Sequence, residues 1–498
     1  MPEEVGIMFT ILEYMAYLFV FVVGLVVLGL IVVFIVDVSQ KKQAIRRNYP
    51  VVAHFRYFFE TLGKFFRQYF FAMDREELPF NRAERTWAYQ AAKDVDSTTA
   101  FGSTRDLRPN GTILFVNCPF PTLGVDAAPV GKVTIGPHCD KPYETDSLFN
   151  ISAMSFGALS RPAVRALSNG ARMAGCWLNT GEGGLAPYHL EGGCDVVFQI
   201  GTAKYGVRDE QGKLSDDKLR EVAVHEQIKM FEIKLSQGAK PGKGGILPGK
   251  KVTPEIAKIR GIPAGADSIS PNRHPEINSI SDLLDMIERI RKVTGKPVGF
   301  KSVIGAYGWL DDLFNEINQR GKESAPDFIT IDSADGGTGA APMSLMDYMG
   351  LPIKESLPMM VDKLYKHELK NRIKVVASGK LITPAEVAWA LCVGADFINT
   401  ARGFMFSLGC IQAMNCNKDT CPTGITTHNP RLQKGLDPEL KAVRVANYAR
   451  NMVYEVGIIA HSCGVKEPRQ LRRFHARIVT ENGKSVSLDE LYRNNGAS

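Results

Sequence analysis

The chain has 498 residues, 45% of them apolar and 23% charged, with a net charge of +7. That balance excludes a disordered chain, and the length leaves room for one large domain or two to three ordinary ones. No basic stripe interleaved with aromatics occurs, which argues against nucleic acid as a partner, and nine scattered cysteines read as reduced thiols rather than a disulfide scaffold.

Residues 14–36 carry no charge and lie between Glu13 and Asp37. As a helix they span roughly 35 Å, enough to cross a bilayer. Glu3 and Glu4 precede the run without a Lys or Arg, unlike a signal peptide. The bases Lys41, Lys42, Arg46 and Arg47 follow it. The expectation is a single-pass anchor over residues 1–40 in the cell membrane, N-terminus outside and the rest cytoplasmic; a buried core helix is the alternative. Residues 41–84 form a basic and aromatic juxtamembrane region, with Phe55, Tyr57, Phe58, Phe59, Phe65, Phe66, Tyr69, Phe70 and Phe71 among Arg56, Lys64 and Arg67. This mixture suits an interfacial helix, or else rings that pack against the main domain.

Residues 85–148 read as a lead-in segment, with a strand-like piece at 112–116. From residue 149 the pattern becomes regular. Strands are expected at 149–154, 176–179, 195–200, 230–235, 298–303, 328–332, 373–377 and 396–400, with helices at 161–173, 280–293, 310–320 and 384–392 among them. Strands alternating with helices over residues 149–432 predict an α/β fold, a (β/α)8 TIM barrel. A doubly wound sheet would open with a G-x-G-x-x-G turn, which is missing. Residues 433–498 are expected to form a helical tail.

In such barrels the active groups lie where strands end. The strand ends here supply Met154 and Ser155, residues 179–184, Gln199, residues 237–242, Lys301, residues 335–339, residues 378–380 and residues 400–403. Glycines at these places let backbone N–H groups approach a phosphate closely. Just beyond the last strand, Cys410, Cys416 and Cys421 are spaced C-x5-C-x4-C and closed by Pro422. Thiolate-rich sets favour zinc or iron–sulfur centres. No C-x2-C pair is present to complete a zinc site, and three ligands suit a three-iron cluster. The bland alternative is three structural thiols that meet by chance.

The cysteine run, continuing as Pro422-Thr423-Gly424, resembles the 3Fe-4S site of the glutamate synthases. Residues 179–184 (NTGEGG), 238–252 (GAKPGKGGILPGKKV) and 336–342 (GGTGAAP) are similar to motifs of that family's FMN-binding synthase domain. The resemblance covers about residues 151–432. It implies FMN at the strand ends, a 3Fe-4S cluster held by the three cysteines, and reductive formation of glutamate from 2-oxoglutarate and ammonia. It also implies roles residue by residue. Lys301 lies by the flavin and stabilises its reduced, anionic form. Lys240 and Arg260 hold the carboxylates of 2-oxoglutarate, and Glu182 positions ammonia or moves a proton. Met154, Ser155, Gln199, Gly336, Gly337, Gly379, Ala401 and Arg402 line FMN.

The sequence also departs from that family. Met1 leads directly to the apolar run, with no N-terminal nucleophilic cysteine or amidotransferase domain, so ammonia or another amine is expected from solution or a partner. The remainder after about residue 432 is too short for the β-structured domain that ends the full-length enzymes. A family glutamine is replaced by Ile246, and an acidic residue by Lys243. Two readings follow: a synthase-like oxidoreductase fed by a ferredoxin-like or membrane-associated donor, or a membrane-tethered FMN/Fe-S electron-transfer protein that makes no glutamate.

Overall fold

A computed structural model describes residues 2–492 and divides into two compact units, one ending at Ala83 and one beginning at Glu84. In the first, a helix runs from Pro2 to Ser39, with nearly all its apolar side chains from Ile7 to Val38 exposed. The stretch Gly6–Ser39 is long and apolar enough to cross a membrane. At its end Asp37 is buried and accepts from Val51 N (3.0 Å), while Arg46 (2.9 Å) and His54 (2.8 Å) close on the same carboxylate. Val51 is thereby held at φ +68°, a left-handed conformation that a β-branched residue rarely adopts. The helix Ala53–Phe66 follows and carries the exposed rings of Phe55, Phe58, Phe59 and Phe65.

The second unit is built on a closed barrel of eight parallel strands: β1 (Phe149–Ile151), β2 (Leu178–Asn179), β3 (Val196–Ile200), β4 (Ile228–Lys234), β5 (Val298–Val303), β6 (Phe328–Asp332), β7 (Lys374–Ser378) and β8 (Phe397–Thr400). Each strand pairs with its successor, and β8 closes on β1 through Ile398–Phe149, Asn399–Asn150 and Thr400–Ile151. Strands buried on both faces need near-continuous apolar runs. β3, β5 and β6 are buried at every residue. The helices between them start and stop where local chemistry dictates. Helix Arg161–Ala174 opens on Ser160, whose hydroxyl accepts from Ala163 N, and ends at Gly175 with φ +71°. Helix Ile280–Thr294 has a Ser279/Asp282 capping box and ends at Gly295.

A hairpin of Val133–Ile135 and Tyr143–Thr145 closes the N-terminal end of the barrel. Its Ile135 and Tyr143 pack with Trp177, Val197, Met230, Phe328, Val376 and Phe397, so that end is solid apolar core. The chemistry is left to the opposite end. Helix Pro438–Ser462 lies along Arg161–Ala174, and the contact is tight: a Cβ on Gly170 would stand 2.5 Å from Val445 Cβ. The region after residue 432 is not wholly helical. Ala476–Val479 pairs with Ser485–Ser487 and with Ile113–Phe115, forming one three-stranded sheet from the segments before and after the barrel. The expectation of a purely helical tail fails because this sheet depends on a partner far away in sequence.

Candidate active site

Two carboxylates lie inside the barrel near its C-terminal end. Glu232, on β4, is 1% exposed and accepts from Asn179 Nδ2 (2.9 Å), Gln199 Nε2 (2.7 Å) and Thr330 Oγ1 (2.6 Å). Asp332, at the end of β6, accepts from Gly238 N (2.9 Å) and lies 3.3 Å from Lys301 Nζ. Burial works against a charge on Lys301, but Asp332 and Glu232 more than offset it and raise its pKa above the ordinary value. A fixed cation therefore stands at the mouth. Gln199 has one amide N–H turned to Glu232, which leaves its oxygen and second N–H. The Met154 N–H is bonded to Asn179 O, and its carbonyl is bonded to His189 Nε2.

Glu182 follows β2 and forms an ion pair with Lys234 at 2.7 Å. Burial alone would raise its carboxyl, but Lys234, Lys240 and Arg260 pull it down to about 2. Gly201 and Gly245 make room for it: a Cβ on either would stand 2.5 or 2.4 Å from Glu182 side-chain atoms. Lys240 is 4% exposed, and burial and Lys234 bring it down to about 8 against the opposing pull of Glu182. Arg260, on helix Pro254–Arg260, donates to Ser268 Oγ (3.0 Å) and Phe156 O (3.4 Å) and lies over the Tyr205 ring. Among the described residues its Nε has no partner. Glu182, Lys240, Arg260 and Lys301 therefore share one field, with Lys234 among them.

The loops after β6, β7 and β8 meet beside this group. Arg402 opens helix Arg402–Leu408, next to Ala401, and donates to Asp335 O (3.0 Å). Burial lowers Arg402 to about 10. Lys380 pairs with Asp335 at 2.9 Å. Gly337 lies under the Arg402 side chain, and Gly336 lies against Gly238. Gly379, at φ +118°, has Ser333 so close that any Cβ would clash. Glycine is required there for both reasons.

Cys410, Cys416 and Cys421 line a single cavity together with Met405, Met414 and Thr426. All three are free thiols. Burial pushes Cys410 up to about 12; burial also works on Cys421, but hydrogen bonds with Thr423 and Thr426 bring that thiol below its ordinary value. The loop holds three non-glycine residues in left-handed conformations, Gln412, Met414 and Asp419. Such strain persists only where the surroundings over-determine it. Among the described residues no group of three or more His, Cys, Asp or Glu side chains is placed to hold a single metal ion; thiols lining one cavity are the donor type of an iron–sulfur centre. Lys251 ties this loop to the one after β1, donating to Ala158 O (2.9 Å), Cys416 O (3.3 Å) and Thr426 O (3.0 Å).

Glu232, Lys234 and Asp332 were not among the residues expected at the strand ends, and Lys251 entered only as part of the run GAKPGKGGILPGKKV. The first two carried a signal: acidic and basic residues inside the otherwise apolar strand MFEIK (residues 230–234) are costly to bury unless paired. The contacts of Lys251 were hidden because its partners lie in two distant loops.

A family profile described as a conserved region in glutamate synthase matches residues 122–466. The glutamate synthase large subunit-like protein YerD of Bacillus subtilis is 39% identical over 95% of this chain and 98% of its own length. The archaeal-type glutamate synthase [NADPH] of Thermotoga maritima is 36% identical over 64% of this chain, and the match spans 60% of that protein. Among solved structures, a mutant flavocytochrome b2 with benzoylformate aligns with 83% of this chain and 85% of its own at 15% identity and a TM-score of 0.46, a likeness too distant to carry an argument.

Proposed function

The chain belongs to the glutamate synthase family, and from that premise we propose that it is an FMN- and 3Fe-4S-dependent oxidoreductase that forms glutamate from 2-oxoglutarate and ammonia or another amine. What supports this reading is one barrel mouth that combines a fixed Lys301 cation, an anionic Glu182 ringed by cations and, joined to it through Lys251, a cavity lined by three thiols. FMN, when bound, supplies hydride transfer, and the cluster supplies electrons one at a time.

The side chains do the rest. Lys301 would neutralise negative charge gathered on the reduced flavin. Gly336, Gly337, Gly379, Ala401 and Arg402 would hold its phosphate end, and Met154, Ser155 and Gln199 its ring. Cys410, Cys416 and Cys421 would ligate the cluster. Lys240 and Arg260 would each take a carboxylate of 2-oxoglutarate, Arg260 through its unpartnered Nε. With a carboxyl near 2, Glu182 stays anionic at neutral pH, is a weak base, and would position the amine by accepting its N–H groups. Lys240, near 8, titrates where a proton donor or acceptor is effective.

The apolar helix would anchor the chain in the cell membrane, barrel on the cytoplasmic side, with a ferredoxin-like or membrane-associated electron donor. The test is stopped-flow reoxidation of the reduced, full-length protein. Reoxidation by 2-oxoglutarate and ammonia together, and by neither alone, is expected. Indifference to the pair combined with reoxidation by a quinone would favour electron transfer without amination, the reading to which Ile246 lends weight because it follows the Gly245 that walls Glu182.

A further inference from the structure

Lys251 is 2% exposed and sits in a short turn, Gly249–Lys251, on the long excursion between β4 and β5. An ammonium has three N–H groups. Here they meet three carbonyls: Cys416 and Thr426, in the segment that carries the cysteines, and Ala158, in the loop that follows β1. The same two segments are joined again by His428 Nε2 and Gly157 O at 2.8 Å, and by Ser160 N and Ile425 O at 2.8 Å. Of these links, Lys251 is the ammonium: burial brings it down to about 8, against the pull of the Asp419 carboxylate first and then of the Cys416 and Cys421 thiols. Its neighbour Lys250 reaches Lys418 O at 2.8 Å and adds a second tie from the same turn.

A buried cation beside a group that gains an electron favours the reduced state, because the added negative charge is stabilised in a medium of low dielectric. We propose that Lys251 is a positioning residue that fixes the cysteine loop against the loop after β1 and raises the reduction potential of the iron–sulfur centre. The inference rests on the proposed cluster. The step is a one-electron reduction, with no bond made or broken.

The test uses full-length protein purified anaerobically, with iron and sulfide measured and the cluster titrated with dithionite under EPR detection. In Lys251→Met with cluster content retained, the reduction equilibrium falls about tenfold, a lowering of about 59 mV for one electron. Lys251→Arg, which keeps the charge, stays within about threefold of wild type. A Lys251→Met potential indistinguishable from wild type would overturn the proposal. If Lys251→Met loses its iron, Lys251→Gln and Lys251→Arg decide. A cluster in the Gln variant at lowered potential, or a cluster kept by Arg alone, supports it. An unshifted Gln variant, or loss of iron from Arg as well, overturns it. Wild-type protein without iron would instead refute the cluster itself, so the two failures are distinct.

Discussion

Glu182 and Lys240 set each other's protonation. Glu182 favours the charged form of Lys240, while burial and Lys234 hold it down to about 8. If the protonated lysine binds a substrate carboxylate, kcat/KM for 2-oxoglutarate falls as pH rises through about 8. Glu182→Gln removes the favourable partner and moves that limb to lower pH, which a pH–rate profile reads directly. Lys301 makes a different prediction. Lys301→Met strands Asp332 and Glu232 as uncompensated buried charges and costs about 3–5 kcal/mol, measurable by denaturant unfolding. Gly245→Ala puts a methyl 2.4 Å from Glu182 Oε1 and should lower activity about 10²-fold with little change in melting temperature. At this scale Glu182 and Lys240 stood out because the glycine-rich runs NTGEGG and GAKPGKGG carry them, whereas Lys301 lies inside β5. Glu232 was not legible: its role depends on three partners from β2, β3 and β6 that only the closed barrel brings together.

Among the elements, the barrel strands were legible because burial on both faces writes each one as a short apolar run, and helix Arg161–Ala174 because Ser160 and Gly175 mark its ends. What the sequence concealed is long-range pairing. Ile113–Phe115 joins Ala476–Val479 across more than the whole barrel, and no local pattern announces it. The fit of Gly170 to Val445 is hidden for the same reason. Gly170→Ala should destabilise the protein by about 1–3 kcal/mol through overpacking, and adding Val445→Ala should recover part of the loss in a thermal melt.

For the whole molecule, the chain joins a barrel whose open end concentrates charge to an N-terminal helix apolar enough for lipid. Full-length protein should stay with the membrane fraction through high-salt and alkaline washes and leave it only with detergent; recovery in the soluble fraction would contradict the anchor. The proposed flavin and iron–sulfur centre in the mouth of this barrel would both absorb visible light. The decisive measurement is the visible spectrum of the anaerobically purified protein, read together with its flavin and iron content. A coloured protein with about one FMN and about three iron atoms per chain, bleached by dithionite, is expected. A colourless, iron-free protein would refute both cofactors.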